Sequence, residues 1–115
     1  MNLDDALKQF HLHLEINQGK SKCTIYSYEN DIKQYISFLK RNGINDSKDV
    51  SLINIQNFLS YESKYKSSTS VVHMASSIRQ YHKDISFTTN EENPADLIKV
   101  HKDKLYLPNL SLIHI

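Results

Sequence analysis

The chain has one cysteine, two glycines, two prolines and no tryptophan among its 115 residues. A lone cysteine, Cys23, excludes an internal disulfide and fits a reducing compartment. So few Gly and Pro leave too little turn chemistry for a many-stranded sandwich and favour helices joined by short connections. No apolar run approaches the roughly 20 residues that span a bilayer, and the opening MNLDDALKQF is acidic where a secretory leader would be basic. A soluble, cytoplasmic protein is therefore expected. Net charge is only +1, so there is no bulk attraction to a polyanion, and nucleic-acid binding would need positive charge sorted onto one surface. No metal-ligand box, Gly-rich phosphate loop or nucleophile with base and orienter is visible, so no catalytic residue, metal or cofactor is expected.

One local absence stands out: from Ser63 to Lys83 there is no Asp or Glu, while Lys64, Lys66, Arg79, Lys83, two histidines and many hydroxyls fall there. Acids gather just beyond, at Asp84, Glu91, Glu92 and Asp96.

Apolar spacing organises the rest. Leu3, Leu7, Phe10 and Leu14 draw one stripe on a first helix, from about Leu3 to Gln18, which Gly19 ends. Ser21 is placed to N-cap a second helix carrying Ile25, Tyr28, Ile32, Tyr35, Ile36 and Leu39, stopped at Asn42-Gly43. Leu52, Ile55, Phe58 and Leu59 give a third, about Ser51 to Tyr65. Ser67 or Ser68 can cap a fourth that buries Val71, Ala75, Ile78, His82 and Ile85, with Met74 and Tyr81 at its margin. Asn93-Pro94 suits the start of a short fifth helix, about Pro94 to Lys102. An all-α fold follows, a compact bundle of four main helices plus a short fifth, sized for one domain burying roughly 65% of its unfolded surface. The last eleven residues carry no Lys, Arg, Asp or Glu and read as a severed connection.

On the fourth helix Thr69, His73, Ser76, Gln80 and Lys83 form one polar stripe, with Ser68 at its start and Arg79 at its border. Short hydroxyls and long cations suit phosphates, and Gln80 suits a base edge. Such polar stripes are usually ordinary solvated faces; the absence of acid across this one shifts the reading to DNA. On the second helix Lys22, Tyr26, Lys33, Ser37 and Lys40 share an outer face, with Ser27, Asn30, Gln34 and Arg41 beside them. Glu29 intrudes there, and Glu29 with Lys33 is equally a helix-stabilising pair. Lys22 and Thr24 are stronger phosphate candidates because free N–H groups and the helix dipole meet at that N-terminus. His11 and His13 diverge on a helix and do not share a metal; His11 with Glu15 reads as a surface pair. His82 reads as a core histidine, and Tyr28, Tyr35 and Tyr81 as core residues.

Several motifs together resemble the N-terminal, SAM-like core-binding domain of the tyrosine recombinases, the phage integrase and Xer-like family. The cap-and-helix pattern is Ser21-Lys22-Cys23-Thr24, then Tyr28, Asp31-Ile32, Tyr35 and Phe38-Leu39. Later come Ser76-Ser77-Ile78-Arg79-Gln80-Tyr81-His82, then Asn93-Pro94-Ala95, and Leu107-Pro108. The resemblance runs from about Leu7 to Leu112. It implies a fold whose second and fourth helices face duplex DNA, with other recombinase protomers as partners. In the family, Leu-Pro leads to a catalytic domain with a His-x-x-Arg box and a nucleophilic Tyr. None of the six histidines here has Arg three residues on. The expectation is a DNA-binding domain at 1–104, a truncated connection at 105–115, and no strand cleavage by this chain. The competing reading is a helical protein-protein interaction module in which the apolar tail and the acidic segment from 84 to 96 dock a partner without DNA contact.

Overall fold

The computed structural model describes residues 1–17, 19–96, 98–101 and 104–106, the side chains of 17, 99–101 and 104–106 excepted. Four helices form the body: α1 (Leu3–Leu12), α2 (Lys22–Arg41), α3 (Leu52–Ser63) and α4 (Ser68–Thr89). Each begins where a side chain can satisfy the orphan N–H groups of a first turn. Asn2 Oδ1 accepts from the N–H groups of Asp4 and Asp5 at 2.8 and 3.3 Å. Ser21 Oγ accepts from Thr24 N–H at 3.3 Å, and Ser67, rather than Ser68, accepts from Ser70 N–H at 3.2 Å. At the start of α3 the capping runs in reverse, Asn54 Oδ1 accepting from Ser51 N–H at 2.8 Å.

The first helix tightens less regularly than its apolar stripe implies. After Leu12 the chain widens into a π-helical turn, His13–Asn17, which still delivers Leu14 to the core. The last expected position, 18, lies outside the described residues. Gly19 and Gly43 then take φ of +57° and +81°, the left-handed conformation that lets a chain leave a helix without a Cβ clash.

Packing explains why α4 buries more than its sequence stripe. It contacts α1, α2 and α3, so Met74 and Tyr81, expected at the margin, are 2% and 0% exposed. Phe10 of α1 wedges against Tyr28 of α2 and Tyr81 of α4, ring centroids 6.2 and 5.8 Å away. Tyr35 lies 5.3 Å from Phe58 of α3. The N-terminus is tied to the α2–α3 connection by Ser47 N–H to Met1 O at 2.8 Å and Leu3 N–H to Asn45 O at 3.2 Å. Asp46 there has its carboxyl held below the usual range, chiefly by the Lys48 backbone N–H and then by the Met1 amino group.

The short fifth helix is not formed. After Asn93 the chain makes one tight turn, closed by Asp96 N–H to Asn93 O at 3.2 Å and Ile98 N–H to Ala95 O at 3.1 Å. It continues into an antiparallel pair, β1 (Lys99–His101) with β2 (Lys104–Tyr106), in the register Val100 to Leu105. Three residues of Lys-Val-His facing Lys-Leu-Tyr satisfy one another's backbone groups, which a helix of two turns does poorly. Of the expected connection at 105–115, the first two residues belong to β2 and the remainder lies outside the described residues. Among the described residues no helix is long and apolar enough to cross a membrane.

Candidate nucleic-acid interface

With α1, α2, α3 and the β1–β2 pair packed against α4, the remaining arc carries Thr69, His73, Ser76, Gln80 and Lys83, each exposed or half-exposed. Phe87 continues that stripe at helical spacing and is 88% exposed. Arg79 stands half-buried at the border. Lys64, Arg79 and Lys83 make no ion pair or hydrogen bond among the described residues, so their charge is uncompensated. Lys66 is committed: its Nζ donates to Gln34 Oε1 at 3.0 Å and lies 3.2 Å from Glu62 Oε1. The latter contact falls outside hydrogen-bond geometry, leaving that buried oxygen held by charge alone.

Between α2 and α4 runs a polar groove of about 270 Å³ lined by Ser27, Asn30, Asp31, Gln34, Lys66, Ser70, His73 and Met74. Of the candidates named from sequence, Ser27 and His73 meet here. Ser68 and Thr69 lie in the first turn of α4, at the groove's end of that helix. Gln80 and Lys83 line a second hollow with Phe10, Asp84 and Phe87. Lys22 and Lys33 line two hollows on the α1 side of α2, both bordered by His11 and Glu29. Thr24 Oγ1 accepts from Ser21 Oγ at 3.0 Å, so its hydroxyl serves the cap first. Glu29 bonds His11 across the α1–α2 interface, and His11 also pairs with Glu15 at 3.4 Å.

Sequence reasoning missed Asp31 and Ser70. Asp31 Oδ2 accepts from Ser77 Oγ at 2.8 Å and is bonded to His73 Nδ1 at 2.7 Å. Tyr28 lies nearly parallel to the His73 ring, 17° and 5.9 Å between centroids. The signal was present: Asp31 sits beside Ile32 and three residues after Tyr28, at the edge of the buried stripe where a neighbouring helix must pass. A window of acid-free sequence takes no account of an acid brought in by another helix.

The remaining perturbed groups belong to the core. His82 is 1% exposed and shares a 2.7 Å hydrogen bond through Nε2 with Tyr35 Oη. Burial pushes its pKa down to about 3 and pushes the Tyr35 and Tyr81 hydroxyls up. Tyr81 Oη donates to Leu3 O at 2.8 Å. A buried, hydrogen-bonded phenol of raised pKa is a structural strut; it has neither the access nor the acidity of a nucleophile. Among the described residues no three His, Cys, Asp or Glu side chains form a metal site.

Residues 7–85 match the family model described as phage integrase, N-terminal SAM-like domain. The chain belongs to this family. It is 31% identical over 114 residues to a tyrosine recombinase of Pseudothermotoga lettingae, covering 96% of this chain and 40% of that protein. It is 29% identical over 113 residues to tyrosine recombinase XerC of Anoxybacillus flavithermus, covering 94% and 37%. With tyrosine recombinase XerD of Bifidobacterium longum it shares 25% identity over 77 residues, 66% of this chain and 25% of that one. The chain thus spans about two-fifths of the length of the first two relatives, and the family match is to an N-terminal domain, the part of the family first recognised in the Ser21 to Leu39 pattern. No solved structure matches it.

Proposed function

We propose that this chain is the DNA-gripping module of a site-specific tyrosine recombinase or integrase, working in the cytoplasm. It holds one side of duplex DNA through α2 and α4, beside other recombinase protomers, and leaves strand cleavage to a catalytic domain. Family membership supports the recombinase setting. The observation that carries the DNA contact is the outer arc of α4, where Lys83 and Arg79 make no ion pair among the described residues and share the arc with Thr69, Ser76 and Gln80. Phosphates there gain charge-assisted bonds without breaking an existing ion pair. Ser27 and Lys33 of α2, with Lys22 and Thr24 at its N-terminus and Ser68 on α4, would extend the contact along the backbone.

Binding by one module should be weak, with dissociation constants of about 10⁻⁴ to 10⁻⁶ M at physiological salt for non-specific duplex. Titration of a labelled duplex across a salt series should give a log-log slope of about −3 to −4, and Lys83→Ala should reduce its size by about one. Binding that ignores salt, or no binding at low salt, would instead support a protein-protein interaction module.

A further inference from the structure

The His73–Asp31 contact defines what His73 can offer a ligand. Asp31, its side chain 13% exposed, is an acceptor on the Nδ1 side of the ring. A carboxylate in that position keeps a proton on Nδ1, so in the neutral imidazole Nε2 carries the lone pair. Nε2 has no partner among the described residues, and the His73 side chain is 49% exposed. A phosphate oxygen only accepts hydrogen bonds. Neutral His73 therefore presents lone pair to lone pair, and only the imidazolium presents N–H to the phosphate.

We propose that His73 is a proton-coupled phosphate contact and that Asp31 is the positioning residue that makes it so. This rests on the DNA-binding reading above. The neighbours are consistent with it. From α2, Asp31 supplies a negative charge opposite the imidazolium, and the Tyr28 ring lies nearly parallel to the His73 ring with centroids 5.9 Å apart. Lys66 lines the same groove but is already drawn to Glu62 and Gln34. From α1, Phe10 packs against Tyr28, and among the described residues no α1 charge lines the groove. Ser77, one turn further along α4, donates to the same Oδ2 at 2.8 Å, so the carboxylate has a second tie that holds it beside His73 when DNA arrives.

Duplex binding at fixed low salt should therefore weaken about tenfold from pH 6 to pH 8, with up to about one proton taken up per binding event. Proton uptake is read by calorimetry in buffers of different ionisation enthalpy. His73→Gln should still bind, because its amide donates without a proton, but its pH profile should be flat and its proton uptake near zero. Asp31→Asn should bind poorly at pH 7 and recover towards the unaltered chain at pH 5.5, a rescue that a merely structural defect would not show. His13→Gln, on the far interface with Asp84, should keep the pH dependence. Equal flattening by His13→Gln, or a steep profile surviving His73→Gln, would overturn the inference while leaving DNA binding intact. Absence of duplex binding at every pH would overturn the functional reading itself. Circular dichroism of each variant separates lost folding from lost contact.

Discussion

Lowering the pH from 7 to 5 should cost this fold about 2 kcal/mol through one side chain, His82. The residue is buried in the core of α4 against Tyr35, and its folded-state pKa is pushed to about 3 from the ordinary 6.5. Below pH 6.5 the unfolded chain takes a proton on this imidazole and the folded chain does not. The stabilisation is thus complete above about pH 6.5 and is lost progressively as the pH falls towards 3. At pH 5 the unfolded side is favoured by about one and a half pH units, each worth about 1.4 kcal/mol. Urea unfolding followed by circular dichroism at pH 7, 6 and 5 gives the slope. The same series on His82→Gln cancels the contributions of the carboxylates and the other histidines, which are common to both proteins. The unaltered chain should lose about 2 kcal/mol more than the variant over that interval. Parallel profiles would mean that His82 is protonated inside the fold and that the reasoning from burial fails. Tyr35→Phe combined with His82→Leu provides a second arm. Tyr35→Phe alone strands a buried nitrogen at a cost of about 1–3 kcal/mol, whereas removing both polar partners should restore most of it and also flatten the profile.

Two other predictions concern the scaffold. Gly43→Ala should destabilise by about 1 kcal/mol by thermal melt, because φ is +81° while no atom lies within 4 Å of the added methyl; a much larger loss would mean a contact this geometry lacks. Phe10→Ala should cost about 3–5 kcal/mol in urea unfolding, since its ring fills the space between Tyr28 and Tyr81, and a loss under 1 kcal/mol would refute that packing.

The helices were legible because their signals are local. Apolar residues at three- and four-residue spacing located Phe10, Ile32, Tyr35, Phe58 and Ile78 in the core, and Ser21 marked its cap by position alone. His82 was legible as a core histidine because it falls on the stripe of Val71, Ala75, Ile78 and Ile85. The π-helical turn after Leu12 was not, since Leu14 reaches the core by either geometry. The fifth helix failed for a related reason. Asn93-Pro94 is a sound helix start, but the conformation of the chain after it depends on whether residues 104–106 return to pair with 99–101, a contact beyond the reach of capping rules. The grooves were least legible. Glu29 looked like a partner for Lys33 four residues on, yet it bonds His11 from another helix; Asp31 carried a motif position but no hint of His73, 42 residues away.

Those cross-helix contacts change how the charge of the α4 face is reckoned. Two carboxylates border its cationic stripe, Asp31 near the groove with α2 and Asp84 next to Lys83, and each is bonded to a histidine. Asp84 also accepts from Gln9 Nε2 at 3.2 Å. Each acid is thus hydrogen-bonded to an imidazole from another segment of the chain, and Lys83 and Arg79 make no ion pair among the described residues. What α4 offers a polyanion depends on this assignment of partners more than on any excess of Lys and Arg, which at a net charge of +1 hardly exists. Lys83 and Asp84 are neighbours in sequence and would cancel in any linear count. They differ in the folded chain because α4 turns about 100° per residue, which gives Asp84 to His13 and leaves Lys83 to the solvent side.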